Sequence, residues 1–172
     1  IDAGPTAMFY RADLFEAAGL PSEPEEVAEL MATWDGALEA AKQMMDTTGV
    51  YMFDFLTNIY WMMICQQEQG LVDENDEFIG DSEDSKTAFY TAASFAPYVF
   101  GMSSMYGTEW AAALNNGDVA AYCGAVWTID MLKNDAPDTA GKWRVTTMPG
   151  GAGNNGGSCM GIPATSEHPQ EA

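Results

Sequence analysis

The run MPGGAGNNGGSCMGIP (148–163) sets Gly151, Gly153 and Gly156 at the G-x-G-x-x-G spacing that lets a backbone approach a pyrophosphate. That chemistry needs a strand ahead of the glycines and a helix opening at the last of them, with its N-terminus facing the phosphates. The segment KWRVTTM supplies the strand. The continuation GGSCMGIP, with Gly161 and Pro163, is no helix start, and no Gly-Lys-Ser/Thr occurs anywhere. A phosphate cradle is excluded. A disordered linker and a loop that lets the main chain come close to something else both stay open.

Carboxylates are the next candidates, since two suitably spaced acids suffice for glycoside hydrolysis. Most acids here fall in turns and helix starts (Glu23, Glu25, Glu26, Asp73, Glu74, Asp76, Asp81, Glu83, Asp84), where capping and solvation account for them. Asp54, inside MFDFL, is the acid in apolar company, either a satisfied structural group or a ligand contact. The D-x-N-x-E pattern from Asp73 lacks the sixth-position glycine of a calcium loop, Phe78 standing there, and reads as a plain turn. Cys65, Cys123 and Cys159 are widely spaced, with His168 the one histidine, so neither a structural zinc site nor a Cys–His pair is indicated. No G-x-S-x-G is present, and no metal or cofactor is expected.

Aromatics carry the remaining chemistry. Trp34, Phe89 and Phe95 stand at helical spacing and are expected in the core. Three clusters lie instead where elements change: DFLTNIYW (54–61), GAVW (124–127) and the glycine loop. An indole face offers a flat apolar partner to a sugar ring, while Asp and Asn fix hydroxyls by hydrogen bonds, a mixture suited to a neutral polyol.

The elements that must position these groups follow from periodicity. TAMFY reads as a strand or extended entry, followed by a helical turn from Asp13 that stops at Gly19. Apolar residues at Val27, Met31, Trp34, Leu38, Ala41 and Met45 are helical, with Thr33 as an internal N-cap, so two helices meeting there are as consistent as one. VYMFDFL (50–56) predicts a buried strand, NIYWMMICQQEQG (58–70) a short helix, and LVDENDEFIGD two short strands around a turn. Further helices are expected from the capping cluster at 81–85 to Pro97, over TEWAAALNN with a Gly117 stop, and over TIDMLKND. VAAYCGAVW and KWRVTTMP read as strands, and CMGIPA as an extended run. Helices alternating with short strands predict an α/β domain, helices around a short mixed sheet.

Bulk properties limit the partners. The 172 residues suit one domain, and 26 acids against 6 Lys and Arg give a formal charge of −20, which repels nucleic acid and anionic lipid. No apolar run approaches the ~18 residues of a membrane span. A chain opening on Ile1 and ending at HPQEA reads as a portion of a longer one, so the absence of a targeting signal says little of compartment.

Taken in order, GPTAMFYRADLFEAAGL, TWDGALEAAKQM, LNNGDVAAYCGAVWTIDMLKNDAP and KWRVTTMPGGAGNNGGSCMGIPATSEHPQEA resemble the extracellular solute-binding proteins of ABC importers, best their carbohydrate-binding, maltodextrin-binding-like group. The resemblance implies one lobe of a two-lobe periplasmic-binding-protein-like fold. Residues 1–172 would be the second lobe, entered by a hinge strand near Asp2–Tyr10 and left by another near Met160–Pro163. It implies a solute held between lobes and passed to permease subunits, an extracellular or periplasmic location, and membrane association only through a lipid anchor on an absent N-terminus. It also implies ligand contacts from Trp127, which matches the family's cleft tryptophan after a one-residue-longer turn. Asn58, Tyr60 and Trp61 match a ligand-lining helix start, and Asp2, Asp54, Gly156, Gly157 and Ser158 border the cleft. The first half of the loop, 150–155, is expected to be mobile. Three rivals stand beside this: a non-sugar solute, either a peptide or a cation held by Asp2 and Asp54; a carbohydrate hydrolase using Asp54 and another acid; and a purely structural domain with a closed aromatic core.

Overall fold

Met8, Phe9 and Tyr10 lie at the centre of the protein, buried on both faces of one strand. In the computed structural model, which describes residues 4–102, 107–158 and 160–171, TAMFYR forms β1 (Thr6–Arg11). Asp2 and Cys159 lie outside the described residues. β1 runs antiparallel between β2 (Ala121–Ala125) and β3 (Trp143–Thr146), with Met8 opposite Cys123 on one side and Thr146 on the other. Because successive side chains alternate faces, Met8 and Tyr10 enter one core and Phe9 enters another. A strand covered on both faces has no polar side to show, which is why it reads as an unbroken apolar run.

The larger core is built from α1 (Ala12–Ala17), α2 (Pro24–Leu30), α3 (Trp34–Thr48), α4 (Leu56–Ile64) and α5 (Glu83–Ser94). The smaller, around Trp110, Leu114, Tyr122 and Leu132, is covered by α6 (Thr108–Asn116) and α7 (Thr128–Asp135). Helices on both sides of a sheet make this an α/β fold. Thr33 separates α2 from α3, its hydroxyl accepting from the Gly36 amide at 3.1 Å, so the open choice resolves as two helices. Gly49 and Gly117 end α3 and α6 in the left-handed conformation at φ 73° and 81°.

Four expectations need correction. Residues 50–56 do not form a ladder strand. Tyr51 bridges Val119 and Phe53 bridges Val99, both in parallel sense, so each partner is engaged at a single point before the chain turns into α4. The expected mixed sheet does not form either: β2–β1–β3 is antiparallel throughout, and these two parallel bridges lie outside its strands. The two strands of LVDENDEFIGD reduce to one Val72–Phe78 bridge, around a turn in which the Asp73 carboxylate accepts from the Asn75 and Glu77 amides. Phe89 is 58% exposed, not core, because α5 turns Ser85, Ala88 and Ala92 inward. Phe95 is fully buried as expected, and Trp34 packs partly buried against the core.

Candidate functional site

Gly124, the penultimate residue of β2, has no room for a side chain ahead of the turn: a Cβ there would lie 2.4 Å from the Tyr122 ring and 2.7 Å from the Thr128 hydroxyl. The turn delivers Trp127 as the N-cap of α7, half-buried. Gly156 lies against its ring edge, a Cβ there being 3.2 Å from Cη2, and Gly156 and Gly157 adopt φ of 89° and 124°, a backbone open to glycine. From α4, Trp61 is 44% exposed and its Nε1 donates to Asn155 Oδ1 at 2.9 Å. Trp61, Asn155, Gly156 and Trp127 are thus consecutive neighbours on one surface, made by one helix start, one loop and one helix. Ser158 follows, exposed.

The loop that supplies the middle of this surface is tied down rather than mobile, at least as far as Asn155. Gln66 donates from Nε2 to the Pro149 carbonyl at 2.7 Å and the Gly151 carbonyl at 2.9 Å, while its Oε1 accepts from Trp34 Nε1 at 3.0 Å. Main-chain bonds add Gly150 N to Ala32 O, Asn154 N to Cys65 O and Asn155 N to Gly4 O. The approach is closest at Gly4, where a Cβ would stand 2.1 Å from the Asn155 oxygen. Here lies the close contact for which the glycines make room.

The other expected site residues go elsewhere. Asn58 is buried beneath the surface, its Nδ2 donating to the Cys123 carbonyl at 3.0 Å and to Asp54 Oδ1 at 3.4 Å. It joins α4 to β2 and offers nothing to solvent. Asp54 is fully buried, and burial pushes its carboxyl up to about 7 against the lowering pull of the Phe55 amide, the Asn58 side chain and, more weakly, the Trp110 indole. Of the two roles open to Asp54, the geometry fits the structural one. Tyr60 meets Phe89 of α5 edge-on, at 6.2 Å and 79°. Sequence reasoning missed Asn155 and Gln66. The Asn-Asn pair within a glycine run was the available signal for the first; nothing local marks the second.

The surface carries stacking faces, an amide and a hydroxyl, all neutral. Cys65 and Cys123 are free thiols, His168 pairs with Glu171, and among the described residues no three His, Cys, Asp or Glu gather for a metal. An apolar cavity of about 400 Å³ between β3 and α7, lined by Phe9, Leu132, Trp143 and Val145, is separate from this surface and offers Lys133 as its one charged side chain.

A family model described as bacterial extracellular solute-binding protein matches residues 1–172. The chain is 30% identical over 182 residues to a lactose-binding protein of Rhizobium radiobacter, covering 99% of this chain and 42% of that protein. Among solved structures it is similar to an extracellular solute-binding protein of family 1, with TM-score 0.84 and 27% identity over 99% of this chain and 44% of the other. It is also similar to an ABC-transporter-associated binding protein from B. animalis subsp. lactis Bl-04 in complex with β-1,6-galactobiose, with TM-score 0.73, 25% identity and the same coverage. The chain therefore spans under half the length of these relatives.

Proposed function

The chain belongs to the bacterial extracellular solute-binding proteins, and from that membership we propose that it is the second lobe of a binding protein that captures a sugar or oligosaccharide and delivers it to an ABC permease. The observation that carries this reading is the neutral surface of Trp61 on α4, Asn155 and Gly156 of the loop, and Trp127 at the N-terminus of α7. Two indoles flanking an amide suit a ring with an apolar face and a hydroxyl rim. The relatives named for lactose and galactobiose agree with such a ligand. Pro5, just ahead of β1, bridges Asn154 in antiparallel sense, which holds the glycine loop beside the first strand. Function on this reading is a binding equilibrium coupled to lobe closure, without turnover. An extracellular lipoprotein anchor completes the proposal.

The hydrolase rival needs Asp54, and the cationic one needs Asp54 together with Asp2, which lies outside the described residues. A carboxyl with no exposure cannot reach a glycosidic oxygen or neutralise a cationic solute. Titrating the intrinsic fluorescence of the full chain with lactose, galactobiose and then a polyamine tests the reading. A saturable shift with a sugar is expected, and Trp127→Ala should weaken it at least ~10-fold, about 1.4 kcal/mol of lost stacking and burial. Response to the polyamine alone would overturn the sugar, and unchanged affinity in the variant would remove Trp127 from the site.

A further inference from the structure

The solvent face of α5 carries aromatic surface that the site described above does not use. Phe89 is 58% exposed and Tyr90 71% exposed, although a helix exposed on this side has no need of large rings. The rings are ordered among themselves: Tyr60 meets Phe89 edge-on, and Phe89 meets Tyr90 at 5.7 Å and 78°. Between the two helices runs a groove of about 260 Å³ lined by Leu56, Thr57, Tyr60, Phe89, Ala92 and Ala93. The two alanines leave it open, and no charged side chain lines it, on a chain whose net charge is −20.

Its position relates it to the proposed cleft. Thr57 and Trp61 are four residues apart on α4 and so share a helix face, as do Leu56 and Tyr60. Thr57 is exposed, and lies both in the groove wall and on the side of α4 from which Trp61 reaches Asn155. Thr57 thus lines the groove and neighbours Trp61 one turn along α4. Its volume lies below the roughly 300 Å³ at which whole small-molecule sites begin, which suits one unit of a longer ligand rather than a separate one.

We propose that the α4–α5 groove is an outer subsite that takes a further sugar unit of an oligosaccharide whose other end occupies the Trp61–Trp127 surface. This rests on the sugar-binding reading and extends it from sugars in general to chains of three or more units. Tyr60 pins the Phe89 ring so that it walls the slot, the alanines admit the sugar edge, and the Thr57 hydroxyl stands at the rim to meet a hydroxyl of the ligand. Absence of charge selects a neutral unit. A protein surface is the competing occupant. A concave slot of this size is a poor match to the ~800 Å² per side of a standard protein interface.

Calorimetry of the full chain with a β-1,6-galactooligosaccharide ladder, from biose to tetraose, tests the proposal. Affinity should rise about ten-fold from biose to triose or tetraose. Phe89→Ala, at an exposed position that folding does not need, and Ala93→Leu, which fills the slot, should each remove about five-fold of that rise while changing biose affinity less than about two-fold. Binding of biose with no dependence on length would overturn the subsite and leave the sugar reading standing. A ladder unaffected by both variants would overturn it as well, and if Phe89→Ala then lowered stimulation of permease ATPase, the patch would be a protein contact. Failure of every sugar to bind would overturn the sugar reading itself, and the subsite with it.

Discussion

At Asp54 a carboxyl is shut away from water, and its surroundings decide its charge. Loss of hydration disfavours the anion by more than the Phe55 amide and the Asn58 side chain favour it, which raises the group to about 7. An unfolded chain releases the same proton near pH 4. Between those limits the folded state holds the extra proton, so stability from this group is complete at low pH and is lost as pH rises toward 7. From pH 5 to 7.5 the loss is on the order of 3 kcal/mol. Asp54→Asn keeps an acceptor for Phe55 and Asn58 and cannot ionise. Urea midpoints of both proteins at pH 5 and 7.5 should therefore show the variant gaining on the wild type as pH rises. Parallel behaviour would mean that Asp54 is already ionised in the fold. Sequence located this residue by its apolar company but left its role open, because burial depends on β2, α6 and the 98–101 segment, all remote in the chain.

Among the elements, those whose ends are set by neighbours in sequence were legible. Thr33, Gly49, Ser82 and Gly117 mark helix limits by local bonding or by a left-handed residue, and each limit appears where its residue stands. The segment at 50–55 was misjudged because an apolar run reports burial without reporting how many partners share it. Phe89 was misjudged because the periodicity that fits it also fits Ser85, Ala88 and Ala92, and the small residues won the inner face. The glycine loop was the hardest, since its clamp joins residues 83 and 85 positions apart. That clamp gives a prediction at this scale. Gln66→Leu keeps the bulk and strands the Trp34 indole N–H with the Pro149 and Gly151 carbonyls, at a cost of about 1–3 kcal/mol. Hydrogen exchange at the Gly150, Asn154 and Asn155 amides should speed at least ~10-fold, because these bond to Ala32, Cys65 and Gly4 only while the loop is held. Unchanged exchange would show that the main-chain bonds hold the loop without Gln66.

For the molecule as a whole, charge imbalance is the property that sequence states outright and structure makes sharper. Five of the six cations are already paired, Arg11 and Lys142 with Asp13, Lys42 with Glu39, Lys86 with Glu83, and Lys133 with Asp130. Most of the 26 acids are left to repel one another across the surface. Surface pairs of this kind contribute little, so the summed repulsion dominates. Raising monovalent salt from ~10 to ~150 mM shortens the screening length from about 30 to about 8 Å. The melting temperature should rise by about 3 °C or more, since ~1 kcal/mol moves a domain of this size by that much. Sugar affinity should change less than about two-fold over the same range, because Trp61, Asn155, Gly156, Trp127 and Ser158 carry no charge and a neutral solute displaces no counterions. A cationic solute held by the acidic field would bind more weakly as salt rises. Thermal melts and titrations in one salt series separate the cases: stability climbing with affinity level places the charge on the outside of the protein and a neutral solute in its cleft. A falling melting temperature would mean that the ion pairs outweigh the repulsion.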